Sequence, residues 1–298
     1  MTKAPLRIPF GQLQDVLKIL FLKYGFAEAK AQILAKVHAE STLDGVNSHG
    51  INRVPLFIEY VQKGVVKVDA EAELAGAFGS IERWDGKQGP GIINAVKCIK
   101  RAIEMAKLHG IGMVALRNTN HWMRGGTYGW MAADAGCISI CFTNTQANMP
   151  PWGGSDSRIG NNPFIVSIPR EGGKHVVLDM ALSQFAFGKI HNDKLKGEKL
   201  PFPGGWDEEN ELSSDPEKIL AKERGLPIGY WKGSALSMIL DMLASLLSAG
   251  NSTRDITAKE FETGLSQVYL CIYPEIFEDG NLKEKLLSEI IDYTHNVA

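Results

Sequence analysis

Five short apolar runs, at residues 112–116, 137–143, 164–168, 175–178 and 265–273, constrain this chain more than any other feature. Each is short and rich in β-branched residues, as buried strands are. The stretches between them carry helical spacing. Residues 92–109 read as a helix, 233–249 as a strongly apolar helix, and 282–293 as a closing helix with Leu286, Leu287, Ile290 and Ile291 on one face to seal the core. Strands interleaved with helices predict an α/β fold, and hairpin-like spacings argue for a mixed sheet rather than a purely parallel one.

The first 65 residues differ from the rest. Leu13, Val16, Leu17, Leu20, Phe21 and Tyr24 recur at helical spacing up to Gly25. A second helix is predicted over 27–42, with Ile33, Leu34 and Val37 facing inward, stopping at Asp44-Gly45. A third starts near Pro55, where proline suits the first helical position. A helical N-terminal region, 1–75, is therefore expected to carry the loop at residues 46–53, ahead of an α/β region at 76–298. Residues 190–228 are charged, rich in Gly and Pro and without period, which predicts a long surface excursion.

Charge and cysteine usage remove several functions. Lys plus Arg number 32 against 34 Asp plus Glu, a net charge of −2, so no global basic excess exists for nucleic acid or an anionic membrane. The most apolar stretch, 235–247, is short and interrupted by Asp241, which argues against a membrane span. Residues 1–10 lack the apolar run of a secretory signal, so a soluble, cytoplasmic protein is expected. Cys98, Cys137, Cys141 and Cys271 form no Cys-x-x-Cys pair. They read as buried, reduced thiols, and no metal site is expected. Neither Gly-x-Gly-x-x-Gly, a phosphate-binding Gly-Lys-Ser/Thr loop, His-Glu-x-x-His nor Gly-x-Ser-x-Gly occurs.

The positive signals lie in loops. Ser48-His49-Gly50 with Arg53 pairs an imidazole suited to proton transfer with a planar fork suited to a carboxylate. That combination would serve a 2-oxo acid, although a loop histidine is often only structural. The stretch 118–126 packs Asn118, Asn120, His121, Arg124 and two glycines behind a strand, or else forms a turn around Trp122. The segments 148–154 and 158–163 either wall a pocket or connect strands. Trp231-Lys232-Gly233-Ser234 opens the apolar helix, where Ser234 is a plausible N-cap and Lys232 could attract a pyrophosphate. In His175-Val176-Val177-Leu178-Asp179-Met180-Ala181, Asp179 could meet a ribose hydroxyl or merely cap a helix.

These stretches together resemble the malate/L-lactate dehydrogenase family, which is distinct from the classical lactate and malate dehydrogenases and has the L-sulfolactate-dehydrogenase-like fold. The likeness runs from Gln12 to about Tyr293 and is most specific at 47–53, 115–126, 149–153 and 229–234. It implies a homodimer with a mixed, non-Rossmann nicotinamide-binding fold, taking NADH or NADPH. By position it makes His49 the proton donor; from the residue types, Arg53 is expected to hold the substrate carboxylate and His121 to rival His49 as the acid or fix the carbonyl. It puts His175 to Ala181 and Trp231-Lys232 at the cofactor. Most members carry Phe-Gly after the second histidine. His121-Trp122-Met123-Arg124 departs from that, toward a branch whose substrate is a long, hydroxylated 2-oxo acid such as diketogulonate. Ser48 and Arg124 are then expected to contact substrate. Malate, lactate, ureidoglycolate and cyclic-imine acids are alternative substrates, and a non-catalytic acid-binding paralogue is a further alternative. The family also implies a Gly-His-Glu cofactor segment, absent from residues 275–298, so weak cofactor affinity is expected.

Overall fold

The computed structural model describes residues 7–277 and 282–296. Three helices come first: α1 (Phe10–Lys23), α2 (Glu28–Leu43) and α3 (Val54–Gln62). A hairpin of β1 (Glu73–Phe78) and β2 (Ile81–Asp85) follows, then α4 (Gly91–His109), β3 (Ile111–Thr119), α5 (Gly126–Asp134) and β4 (Ile138–Thr143). Next come the short strands β5 (Ala147–Met149) and β6 (Ile159–Gly160), then β7 (Phe164–Ile168) and β8 (Val176–Met180). The following segment holds α6 (Phe187–Lys196), β9 (Gly205–Trp206), β10 (Leu212–Ser213) and α7 (Pro216–Lys222). The chain closes with α8 (Trp231–Ser248), α9 (Thr253–Thr257), β11 (Leu265–Ile272) and α10 (Leu282–His295).

Seven strands form one mixed sheet in the order β1-β2-β3-β11-β4-β7-β8. Only β2 and β3 run parallel, joined by the α4 crossover, while every other neighbour is antiparallel. The two faces follow the period of two along each strand. Val114, Leu116, Cys141, Ile165 and Tyr269 face a core built with α1–α5. Ala115, Phe142 and Val268 face the other way, onto Leu240 and Ala244 of α8. Burial on both faces explains why the strands read as near-continuous apolar runs rather than alternating ones.

Two expectations are corrected. Residues 190–228 are not an unstructured excursion. They belong to a small lobe with its own core of Ile190, Leu200 and Ile219, too short in each helix to show a period. The closing helix forms, but it buries no residue: Leu286 and Ile290 are exposed. It is held by polar contacts, with Arg170 Nε donating to Glu284 at 3.0 Å and Arg170 Nη2 to Ser288 Oγ at 3.0 Å. The four cysteines are buried and free, as expected. Among the described residues, no helix is long and apolar enough to cross a membrane.

Candidate active site

The loop after α2 is shaped by contacts that local sequence dictates. Thr42 Oγ1 accepts the Ile51 N–H at 2.8 Å, and Val46 N–H donates to the Ser41 carbonyl at 2.8 Å. Two short 3₁₀ turns, Asn47–His49 and Ile51–Arg53, result, and Pro55 starts α3. Gly50 joins the turns where only glycine fits: a Cβ there would collide with the Thr42 side chain and lie 2.8 Å from its backbone nitrogen. His38, fully buried on α2 against Phe21 and Phe57, holds the same point, its Nδ1 lying 3.3 Å from the Gly50 carbonyl. Sequence reading passed over His38, because nothing local distinguishes a core histidine from a surface one.

This loop presents His49, Ser48 and Arg53 to a cavity of about 370 Å³. His121 arrives from the loop after β3, its ring stacked on that of His49 with centroids 5.7 Å apart. The Met123 N–H donates to His121 Nδ1 at 2.9 Å, so a neutral His121 carries its proton on Nε2. Ser48 Oγ lies 3.0 Å from His49 Nδ1. Burial, then the charges of Arg53 and Arg124, push His49 down to about 4. Burial, then Arg53 and His49, hold His121 well below its ordinary value. Both rings are therefore neutral at pH 7.

The rest of the loop around His121 is structural. Asn120 Nδ2 donates to the Gln88 and Gly89 carbonyls at 2.9 and 3.0 Å, and Trp122 is buried in the core. Glu262, absent from the sequence expectations, reaches the cavity from the turn before β11. Its carboxylate lies 3.9 Å from Arg53 Nη2 and accepts the Gln146 N–H at 3.3 Å. Burial raises its pKa, opposed by the Arg53 charge. Thr145, Asn148 and Asn161 also line the cavity, together with His191 from α6. The pocket and the strand connection expected at 148–163 are both real, since β5 pairs with β6 to hold that lining. No sequence signal singles out Glu262 or His191; each is near the histidines only because the chain folds back.

Three expected contacts fall elsewhere. Arg124 does not line this cavity. It is ion-paired with Asp44 and lies 3.9 Å from Asp179, in a neighbouring cavity beside α2 and α5, because its loop turns outward after the buried Trp122-Met123. Asp179 accepts the Gly126 N–H at 2.9 Å at the start of α5, the capping role. Ser234 is not the N-cap of α8, which begins at Trp231; its Oγ instead accepts the Trp152 N–H at 3.0 Å.

The two segments expected at the cofactor meet just past the end of β8. The Ile228 N–H donates to the Leu182 carbonyl at 2.8 Å and the Gln184 N–H to the Leu226 carbonyl at 2.7 Å. His175 to Ala181 thus leads into a segment bound to the one that enters Trp231-Lys232. Ser183 Oγ at this junction is buried with no partner among the described residues, and Trp231 is 61% exposed beside Lys232. A hydroxyl lacking a partner, an open indole and a lysine at a helix start suit an anionic, aromatic-bearing group such as a nicotinamide dinucleotide. His175 itself is engaged, with Nδ1 accepting the Arg170 N–H and Nε2 3.1 Å from Asp134.

A family profile described as malate/L-lactate dehydrogenase matches residues 8–298. The chain is 43% identical over 289 residues to a 2,3-diketo-L-gulonate reductase of Klebsiella pneumoniae and 44% identical to one of Escherichia fergusonii, spanning 97% of this chain and 86% of each relative. Among solved structures, a malate dehydrogenase from Entamoeba histolytica superposes with a TM-score of 0.92 at 25% identity, over 98% of this chain and 86% of that one. A sulfolactate dehydrogenase from Methanocaldococcus jannaschii gives 0.87 at 28% identity, over 98% and 85%. These likenesses define the class: an α/β oxidoreductase of oxo and hydroxy acids. The chain belongs to the malate/L-lactate dehydrogenase family.

Proposed function

We propose that this chain reduces the 2-oxo group of 2,3-diketo-L-gulonate, with NADH or NADPH as hydride source and His49 as proton donor. The observation that carries the reading is the convergence of His49, His121 and Arg53 on one cavity. The names of the relatives at 43–44% identity support the substrate.

The residues divide the work by their chemistry. Arg53, braced by Glu262, receives the substrate carboxylate. The Nε2–H of neutral His121 donates to the substrate carbonyl oxygen and polarises it. The bound carboxylate partly cancels the field of Arg53, which raises the affinity of His49 for a proton. His49 then gives that proton to the oxygen as it becomes an alkoxide. Ser48 orients the His49 ring through Nδ1. Ser183, Trp231 and Lys232 would hold the nicotinamide nucleotide, which supplies the hydride when bound.

In the same reading the enzyme is a cytoplasmic homodimer. The exposed Met238, Ile239, Met242 and Leu246 of α8 support a partner copy, and four buried free thiols fit a reducing compartment. Light scattering tests the dimer. The activity is tested by following NADH and NADPH oxidation with 2,3-diketo-L-gulonate beside pyruvate, oxaloacetate and a cyclic-imine acid. His49→Ala should lower kcat by roughly 10²-fold or more while cofactor affinity stays near that of the parent. Turnover kept by His49→Ala but lost by His121→Ala would reverse the two roles.

A further inference from the structure

The cavity lining at Asn148 and Asn161 has a feature that acid reduction alone does not need. Asn148 lies in β5 between Ala147 and Met149, and strand alternation sends Met149 into the core and Asn148 to the cavity. Its Nδ2 donates to Asn161 Oδ1 at 3.2 Å, but its Oδ1 is buried and has no hydrogen-bond partner among the described residues. Asn161 Oδ1 lies 3.0 Å from Thr145 Oγ1, a hydroxyl also within reach of Asn162 Oδ1 and the Gln146 carbonyl, while Asn161 Nδ2 makes no side-chain hydrogen bond among the described residues. Side by side, the two amides offer one unused acceptor and one donor. Buried acceptors are almost always paired in folded proteins, so this oxygen, on a residue that lines the cavity, calls for a partner.

We infer that Asn148 and Asn161 set substrate specificity by binding hydroxyl groups on the part of the substrate distal to its 2-oxo acid end. This rests on the reductase reading and deepens it by naming the residues that select a polyhydroxylated acid over a short one. A hydroxyl donates to Asn148 Oδ1 and accepts from the Asn161 amide, and a neighbouring hydroxyl can share the pair. A short acid such as lactate leaves both amides unpaired, and a site built around a hydroxyl rejects the analogue that lacks it. Arg124, pointing into the neighbouring cavity, has no part in this selection.

Calorimetric binding of L-gulonate and L-lactate to the full chain, without cofactor, isolates the effect. Both carry the carboxylate and the 2-hydroxyl; only gulonate carries the distal hydroxyls. The parent protein should favour gulonate by about ten- to a hundred-fold, the range that one or two hydrogen bonds supply. Asn148→Leu should collapse that ratio toward one. Asn148→Asp keeps an acceptor oxygen, and its charge repels both acids, so the ratio should survive. Asn161→Ala gives a second route to the collapse if Asn148→Leu does not fold. A parent that binds gulonate no better than lactate, or an unchanged ratio in Asn148→Leu and Asn161→Ala, overturns the inference. A protein that shows the ratio and its collapse, yet oxidises neither NADH nor NADPH with any 2-oxo acid, keeps the hydroxyl site and loses the reductase reading.

Discussion

The depressed pKa of His49 has a direct kinetic consequence. A ring near 4 in the free enzyme is almost wholly neutral at pH 7, so the proton used in reduction must be taken up together with the substrate. Under that condition kcat/KM for reduction follows the protonated fraction of the free enzyme. Above the pKa this fraction falls about ten-fold per pH unit, so kcat/KM should drop by about 100-fold between about pH 5 and pH 7. An ordinary histidine near 6.5 would give only about four-fold over that interval. In the oxidative direction the neutral ring is the required base, and kcat/KM should stay nearly level across the same window. Arg124→Gln removes one of the charges that depress the ring without entering the substrate cavity. It should move the break in the reduction profile upward. The assay is nicotinamide absorbance under first-order conditions in a constant-ionic-strength buffer series. A four-fold change for the parent, or a break unmoved by Arg124→Gln, would refute the argument that burial and the two guanidinium groups set this ring's proton affinity.

Three other outcomes follow from the same contacts. His38 is fully buried and pushed down to about 4, by burial first. A histidine depressed in the fold gives stability that is present above about pH 6.5 and lost as pH falls toward 4, roughly 2 kcal/mol by pH 5. Urea unfolding of His38→Phe should show a pH slope shallower by that amount, and an identical slope would remove His38 from the account. Gly50→Ala forces a methyl against the Thr42 backbone and should cost about 2 kcal/mol or more, with activity lost alongside; an unchanged melting temperature would show that the loop relaxes freely. Lys232→Ala should weaken NADH binding roughly three- to ten-fold in a fluorescence titration, and equal affinity would take this residue out of the cofactor site.

Much of the architecture was set by local sequence. The apolar run at 164–168 has the bounds of β7, and the patterns for α2, α4 and β11 match theirs to within about a residue, because apolar period and Gly or Pro punctuation act over a few residues. The loop carrying Ser48, His49 and Arg53 was legible for the same reason: Gly50 and Pro55 fix its turns, and its residue types carry their own chemistry. Other features depend on distant contacts. The helix at 282–293 has an apolar stripe yet lies on the surface, since burial depends on whether another element faces that stripe. Arg124 stands three residues from His121, but one outward turn sends its charge to Asp44 and Asp179. Glu262 meets Arg53 across more than two hundred residues of chain, and Asn148 is set beside Asn161, its Oδ1 without a partner among the described residues, only when β5 pairs with β6. Sequence determined which groups were available for proton transfer and carboxylate binding. Tertiary structure decided which of them share a cavity, because the distances and desolvation that give those groups their reactivity exist only once remote segments pack together.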